Sequence, residues 1–245
     1  MRKEIIHSSW EPLMHILNQE AITQLYQIKL EKQIYPEDKD VFRVFSMPLD
    51  EIKVVILGQD PYYTRGAANG LAFAVNSSFY IPPSLKIIAQ EIEQEGLKSG
   101  FFDSDIDEWK TLEHWEEQGV FLLNTALTVE DQKPGSHMKI WSTFISTVIT
   151  FIAFHNPCVW LLWGKPAQKL ALGAMRFKDI ETFDFSLYKK EDISTMPFSP
   201  YYNYILASAH PAAEVYRQNA GFLGNDHFIK TNALLSLKNK KIINW

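Results

Sequence analysis

Four short apolar runs, 52–57, 120–123, 159–163 and 204–207, are continuous where a half-exposed strand would alternate. Runs of that length without alternation suit strands buried on both faces, as in a parallel sheet covered by helices. Between them the apolar positions take helical spacing. Leu85, Ile88 and Ile92 mark a helix over 83–95 that begins at Pro83, a residue tolerated in a first turn. Ile145, Val148, Ile149 and Ile152 mark another over 141–154, ended by Asn156-Pro157. Segments 107–118, 166–174 and 226–237 read the same way, and 12–32 predicts a long helix within a helical prefix spanning 1–40. Alternating strands and helices predict a three-layer α/β/α fold around a central, mostly parallel four-stranded sheet.

The length of 245 residues favours one domain over two. Segment 176–202 is aromatic, charged and punctuated by proline where a short connection would be usual, so it predicts an insertion. Twenty-four basic against 29 acidic residues give a net charge of −5, which supplies no global attraction to a polyanion. Any contact with nucleic acid has to be local. The single cysteine, Cys158, excludes an internal disulfide and a multi-cysteine metal site, and fits a reducing compartment. No apolar stretch approaches the ~18 residues of a membrane span, and 1–10 lacks a signal-peptide pattern. These features predict a cytoplasmic protein, or a nuclear one if its source has a nucleus, with no membrane contact.

The polar residues that follow the apolar runs carry the chemistry. Gly58-Gln59-Asp60-Pro61-Tyr62 follows the first, Asn124-Thr125 the second, Gly164-Lys165 the third and Ser208-Ala209-His210-Pro211 the fourth. In open α/β sheets ligands bind beyond the carboxyl ends of the strands, so an acid, an amide and an imidazole would share one crevice. Taken singly each has a plain alternative: Asp60 starting a turn, Asn124 capping, His210 in a loop, Phe73 in the core. No nucleotide-binding glycine motif follows any of the four runs.

In order along the chain stand Gly58-Gln59-Asp60-Pro61-Tyr62, Gly70-Leu71-Ala72-Phe73, Pro82-Pro83-Ser84-Leu85, Leu122-Leu123-Asn124-Thr125, Leu161-Leu162-Trp163-Gly164 and His210-Pro211. This series resembles the family-1 uracil-DNA glycosylases from about Val41 to Phe228. The resemblance implies a DNA repair enzyme that hydrolyses the bond between uracil and its sugar and leaves an abasic site. Asp60 would stay ionised to orient water and offset the cationic sugar, and His210 would donate to uracil O2 as a neutral imidazole. Asn124 would read the edge of the base, Phe73 would stack on it, Tyr62 would exclude the thymine methyl, and Gln59 would offer backbone groups. Ser84, Gly164, Lys165 and Pro211 would lie on the DNA face, with Arg65, Lys86, Lys169 and Arg217 as further cations.

No metal or cofactor is implied. The partner is uracil-containing DNA, single- or double-stranded. A monomer is expected, with a DNA face on which a proteinaceous glycosylase inhibitor could dock. The series departs from the family in two places. Tyr63 and Asn69 replace histidines of the first motif. After His210 the leucine that wedges into the duplex is missing, and the loop reads Ala212-Ala213-Glu214-Val215-Tyr216-Arg217. Glu214 in direct register would repel phosphates, so a shifted register with Val215 or Tyr216 at the tip is expected, and with it a preference for single-stranded or frayed DNA. Two competing readings keep the fold: a glycosylase for another modified pyrimidine, and a non-catalytic DNA-binding or replication-scaffold relative.

Overall fold

Each of the four apolar runs is a parallel strand in the computed structural model, which describes residues 6–14, 19–97, 106–176, 180–186 and 198–245. Every residue of β2 (Val54–Gly58), β3 (Val120–Asn124) and β5 (Val159–Trp163) is buried, the pattern of a sheet covered on both sides. β7 (Asn203–Ser208) follows the same plan until its last two residues emerge. The sheet has five strands, one more than expected, in the order β3-β2-β5-β7 and then β6 (Thr182–Asp184). The extra strand, β6, comes from the segment expected to be an insertion and pairs in parallel with β7 at the sheet edge. Its burial alternates from exposed to half-buried to exposed, so it carries no apolar run to betray it. A separate antiparallel pair joins β1 (Ile34–Tyr35) to β4 (Val129–Glu130).

The helices agree with the apolar spacing except where the backbone turns sharply. α3 (Pro83–Gln94), α7 (Lys165–Arg176) and α9 (His227–Leu237) lie close to the expected bounds. The expected helix over 107–118 is instead α4 (Ile106–Trp109) and α5 (Glu113–Glu116), because Leu112 between them takes φ +53° while its side chain is wholly buried. The expected helix over 12–32 is α1 (Glu11–Met14) and α2 (Gln19–Glu31), and residues 15–18 lie outside the described residues. α6 (Met138–His155) is 18 residues long with a mean hydropathy of 1.3, long and apolar enough to cross a membrane despite the expectation of no such stretch. Trp141, Phe144, Ile145, Val148, Ile149 and Ile152 bury one of its faces in the core.

Register assigns the layers. Trp163 stands three positions beyond Phe121 across the sheet, so the two rings point to opposite faces. Phe121 packs on Phe45, which meets Phe144 of α6, whereas Trp163 meets Phe228 of α9. α6 and α9 therefore cover opposite faces, which makes the three layers. α8 (Ala212–Tyr216) is a single short turn after β7.

Candidate active site

Gly58 pairs with Asn124 and Trp163 with Ser208, so the carboxyl ends of the four central strands are level. The chain runs from β2 to β3 on one side, then crosses to β5 on the other, and the crevice at that reversal is where ligands bind in such sheets. One cavity there is lined by Gln59, Asp60, Tyr62, Phe73, Asn124 and His210, together with Tyr63, Ser84, Pro134 and Tyr216. Six residues expected to bind or act on the base thus share one cavity. Two glycines permit the close approach. A Cβ on Gly58 would meet the Asn124 Oδ1 at 2.4 Å, and one on Gly164, at φ +94°, would meet the His210 Cβ at 3.1 Å.

Asp60 accepts a hydrogen bond from the Gly135 N–H on Oδ2, and its other oxygen has no protein partner among the described residues. Burial pushes its carboxyl above the ordinary value, and the Gly135 donor partly offsets this. Gly135 was not foreseen from the sequence. Its contribution is a backbone N–H, and the only trace of it is the Pro134-Gly135 turn signal. The Tyr63 carbonyl accepts from the Gln132 backbone N–H at 3.2 Å and from its Nε2 at 3.4 Å, tying the first motif to the loop that carries Gly135.

His210 accepts from the Ala212 N–H on Nδ1 at 3.1 Å, which assigns the ring proton of the neutral imidazole to Nε2. Burial lowers its pKa, so the neutral form is favoured. The Phe73 ring lies 5.7 Å from the imidazole and 5.3 Å from Trp163, at 64° to the latter. Phe73 holds φ +66°, a costly conformation for a phenylalanine that aims its ring at the cavity.

The Tyr62 hydroxyl is held at 3.2 Å from the Phe73 carbonyl and 3.1 Å from the Ser84 hydroxyl, and burial pushes its pKa up to about 12. Asn124 is 4% exposed, and its carboxamide has no hydrogen-bond partner among the described residues. Gln59 offers less than expected. Its carbonyl already accepts from the Thr125 hydroxyl at 2.6 Å and the Ala126 N–H at 3.0 Å, so its backbone N–H is the group left for a base.

The expected DNA face is mixed. Ser84 is buried with its hydroxyl on Tyr62, and Gly164 and Pro211 are buried beneath the surface. Arg65, Lys86, Lys165 and Lys169 are exposed and form no ion pair with another described residue. Val215 is 47% and Tyr216 89% exposed, and Tyr216 reaches the cavity. The Glu214 carboxylate, expected to repel phosphates if it stood in direct register, accepts hydrogen bonds from the backbone N–H groups of Ala220, Gly221, Phe222 and Leu223. Asn69, one of the two replaced histidines, lines no part of the cavity. It is buried, donating to the Thr111 carbonyl at 3.1 Å and accepting from the Leu71 N–H at 3.1 Å.

A parallel α/β/α sheet with an acid, an imidazole, an unpartnered amide and an aromatic ring in one pocket has the groups that a hydrolase acting beside a planar heterocycle needs. The chain belongs to the uracil-DNA glycosylase superfamily, whose sequence model matches residues 46–236. The uracil-DNA glycosylase of Buchnera aphidicola subsp. Acyrthosiphon pisum is 40% identical over 221 residues, covering 89% of this chain and 86% of its own. That of Borrelia turicatae is 37% identical over 248 residues, covering 100% and 94%. The crystal structure of mimivirus uracil-DNA glycosylase shares the fold with a TM-score of 0.74 at 24% identity, covering 98% of this chain and 87% of that one.

Proposed function

We propose that the protein excises uracil from DNA by the family-1 route, with Asp60 and His210 as the catalytic residues. Uracil-DNA glycosylase is the activity named for relatives at 37–40% identity over most of this chain. The family-1 assignment rests on the ordered motifs, and the observation that carries the residue roles is the unpartnered carboxamide of Asn124. A buried polar group without a partner costs about 1–3 kcal/mol, so its retention in the pocket points to a ligand that completes it. Asn124 Nδ2 donates to uracil O4 and Oδ1 accepts from N3–H. Cytosine presents the reverse pattern and is rejected.

The N1–C1′ bond breaks with its electron pair leaving on uracil, whose O2 accepts from His210 Nε2–H as negative charge develops. Asp60, ionised, orients the water that forms the new bond to C1′ and offsets the positive charge on the sugar. Phe73, braced by Trp163, stacks on the flipped base. Tyr216, more exposed than Val215 and reaching the cavity, supplies the tip that meets the base stack. From a helix of only five residues this tip is a modest wedge, so single strands react faster than matched duplex. Two mimivirus UNG variants are solved in complex with UGI, and we extend to this chain the proposal that a proteinaceous inhibitor competes for the DNA face.

The test is release of free base from single- and double-stranded oligonucleotides carrying one uracil. Asp60→Asn and His210→Ala are each expected to lower the rate by about 10²–10³-fold. Release of another modified pyrimidine but not of uracil would replace this reading with that of a related glycosylase.

A further inference from the structure

The segment 220–229 returns from the loop after His210 to α9, and apart from Ala220 to Leu223 its backbone donors are taken by Glu91 of α3, by Glu95 at the C-terminal cap of α3 and by its own asparagine. Glu91 accepts from the N–H groups of Gly224 at 2.6 Å and Asp226 at 3.1 Å, and Glu95 from Phe228 at 3.2 Å and Ile229 at 2.6 Å. Asn225 Oδ1 accepts from His227 at 2.8 Å. The first four residues are held from the other side of the loop. Glu214, on α8, accepts from Ala220 at 3.0 Å on Oε2, and from Gly221 at 2.9 Å, Phe222 at 2.8 Å and Leu223 at 3.2 Å on Oε1.

A five-residue helix cannot sustain itself, because nucleation is unfavourable and short helices are marginal in water. α8 lies against α3 with Ala212 and Ala213 half-buried, but that packing does not reach the tip, where Val215 and Tyr216 are exposed. Carboxylate hydrogen bonds are among the stronger kind, and four of them converge on the one residue that precedes the tip. The far end of the tied segment is itself fixed, because Phe222 is buried edge-on against Trp163 at 5.1 Å. Burial would raise the Glu214 carboxyl, but the four N–H donors hold it below the ordinary value, which favours the ionised form that accepts them.

We infer that Glu214 is a positioning residue for duplex substrates: its carboxylate ties α8 to residues 220–223 and thereby holds the Val215–Tyr216 tip outward beside the base pocket. This rests on the reading that the tip meets DNA. Holding a base out of a duplex works against a few kcal/mol of stacking and pairing, and a tip on a slack loop would yield to that force. A single strand makes little such demand, so the latch acts chiefly on duplex.

The experiment compares uracil release from duplex and single strand for the wild type, Glu214→Ala, Glu214→Gln and a Val215→Ala, Tyr216→Ala double variant that keeps Glu214. Loss of folded protein lowers both rates equally and leaves their ratio unchanged, so the ratio separates positioning from stability. The Glu214→Ala ratio is expected to fall about tenfold, mainly through KM for duplex, with Glu214→Gln in between because it keeps one acceptor oxygen. The double variant is expected to lower the ratio at least as far. Fluorescence of a 2-aminopurine beside the uracil, read in an Asp60→Asn background, should show less unstacking in each. If the double variant lowers the ratio and Glu214→Ala does not, the latch is wrong and the tip reading stands. Should the double variant leave the ratio unchanged, the tip reading falls and the inference falls with it.

Discussion

The Tyr62 hydroxyl is bound twice within the protein, to the Phe73 carbonyl and the Ser84 hydroxyl, so its ring is fixed before any base arrives. A wall of that kind excludes a thymine methyl by clash. Tyr62→Phe keeps the ring and should keep the exclusion, losing about 1 kcal/mol of stability with the hydrogen bonds, whereas Tyr62→Ala should release thymine at a measurable rate. Thymine release by both variants would mean that the hydroxyl and not the ring sets the barrier. The proposed catalytic pair, Asp60 and His210, predicts the acid limb of the rate profile. Burial raises Asp60, which must be ionised, so activity is lost at a pH above the ordinary aspartate value of 3.8. Burial lowers His210, which must be neutral, so its own limb falls below 6.5. A pH–rate profile with an acid limb at or below 3.8 would contradict the buried Asp60. Most of these groups were legible in the sequence because their chemistry is in side chains placed just after apolar runs. Gly135 and the committed carbonyl of Gln59 were not, because backbone donors and acceptors leave no mark in residue type.

At the scale of elements, periodicity located the central strands and most helices, and failed where stability comes from partners. β6 is polar on its outer positions and forms because β7 offers it an edge, with Thr182 opposite Asn203. The break at Leu112 is likewise a tertiary effect, since a leucine gives no turn signal. The junction of α3 and α9 was equally hidden, being built from two glutamates that helical spacing would assign to a solvated face. Burial is the main cause that pushes Glu95 up to about 8, with Glu91 and Asp226 adding repulsion against the donors Ile229 and Phe228. The nearby Lys230 ammonium donates to the Asn225 carbonyl at 2.9 Å. With its folded value above the ordinary 4.5, Glu95 contributes stability that is complete below 4.5 and lost as pH rises through about 8. His114 and His227, held down to about 4 and about 3 by burial, act in the opposite sense over the acidic part of that range, so the readout is a difference. The melting temperature of the wild type relative to Glu95→Gln should fall from pH 5 to pH 8. Parallel curves across that range would show that Glu95 is already ionised at pH 5.

On the scale of the whole molecule, a net charge of −5 has to coexist with binding to a polyanion. A cation beside the crevice can act there whatever the net charge, because salt screens charges more than about 10 Å away at 0.1 M. Lys165 opens α7 directly after Gly164, beside His210. Lys241 lies near Lys53 at the opposite end of β2, and five strand residues span ~16 Å, more than the screening length of ~10 Å at 0.1 M salt. The two lysines are both exposed and carry the same charge, so replacing either changes the net charge equally. They differ in distance from the crevice. If Lys165 meets a phosphate, Lys165→Ala should reduce the slope of log kcat/KM against log salt by about 0.9 on duplex and about 0.7 on single strand. Lys241→Ala should leave both slopes as they are. The loss in Lys165→Ala should also be alike for every sequence around the uracil, because a phosphate contact carries no base information. Equal slopes for the two variants would assign the attraction to the overall field of the protein, and the crevice would then bind DNA through neutral and backbone groups alone.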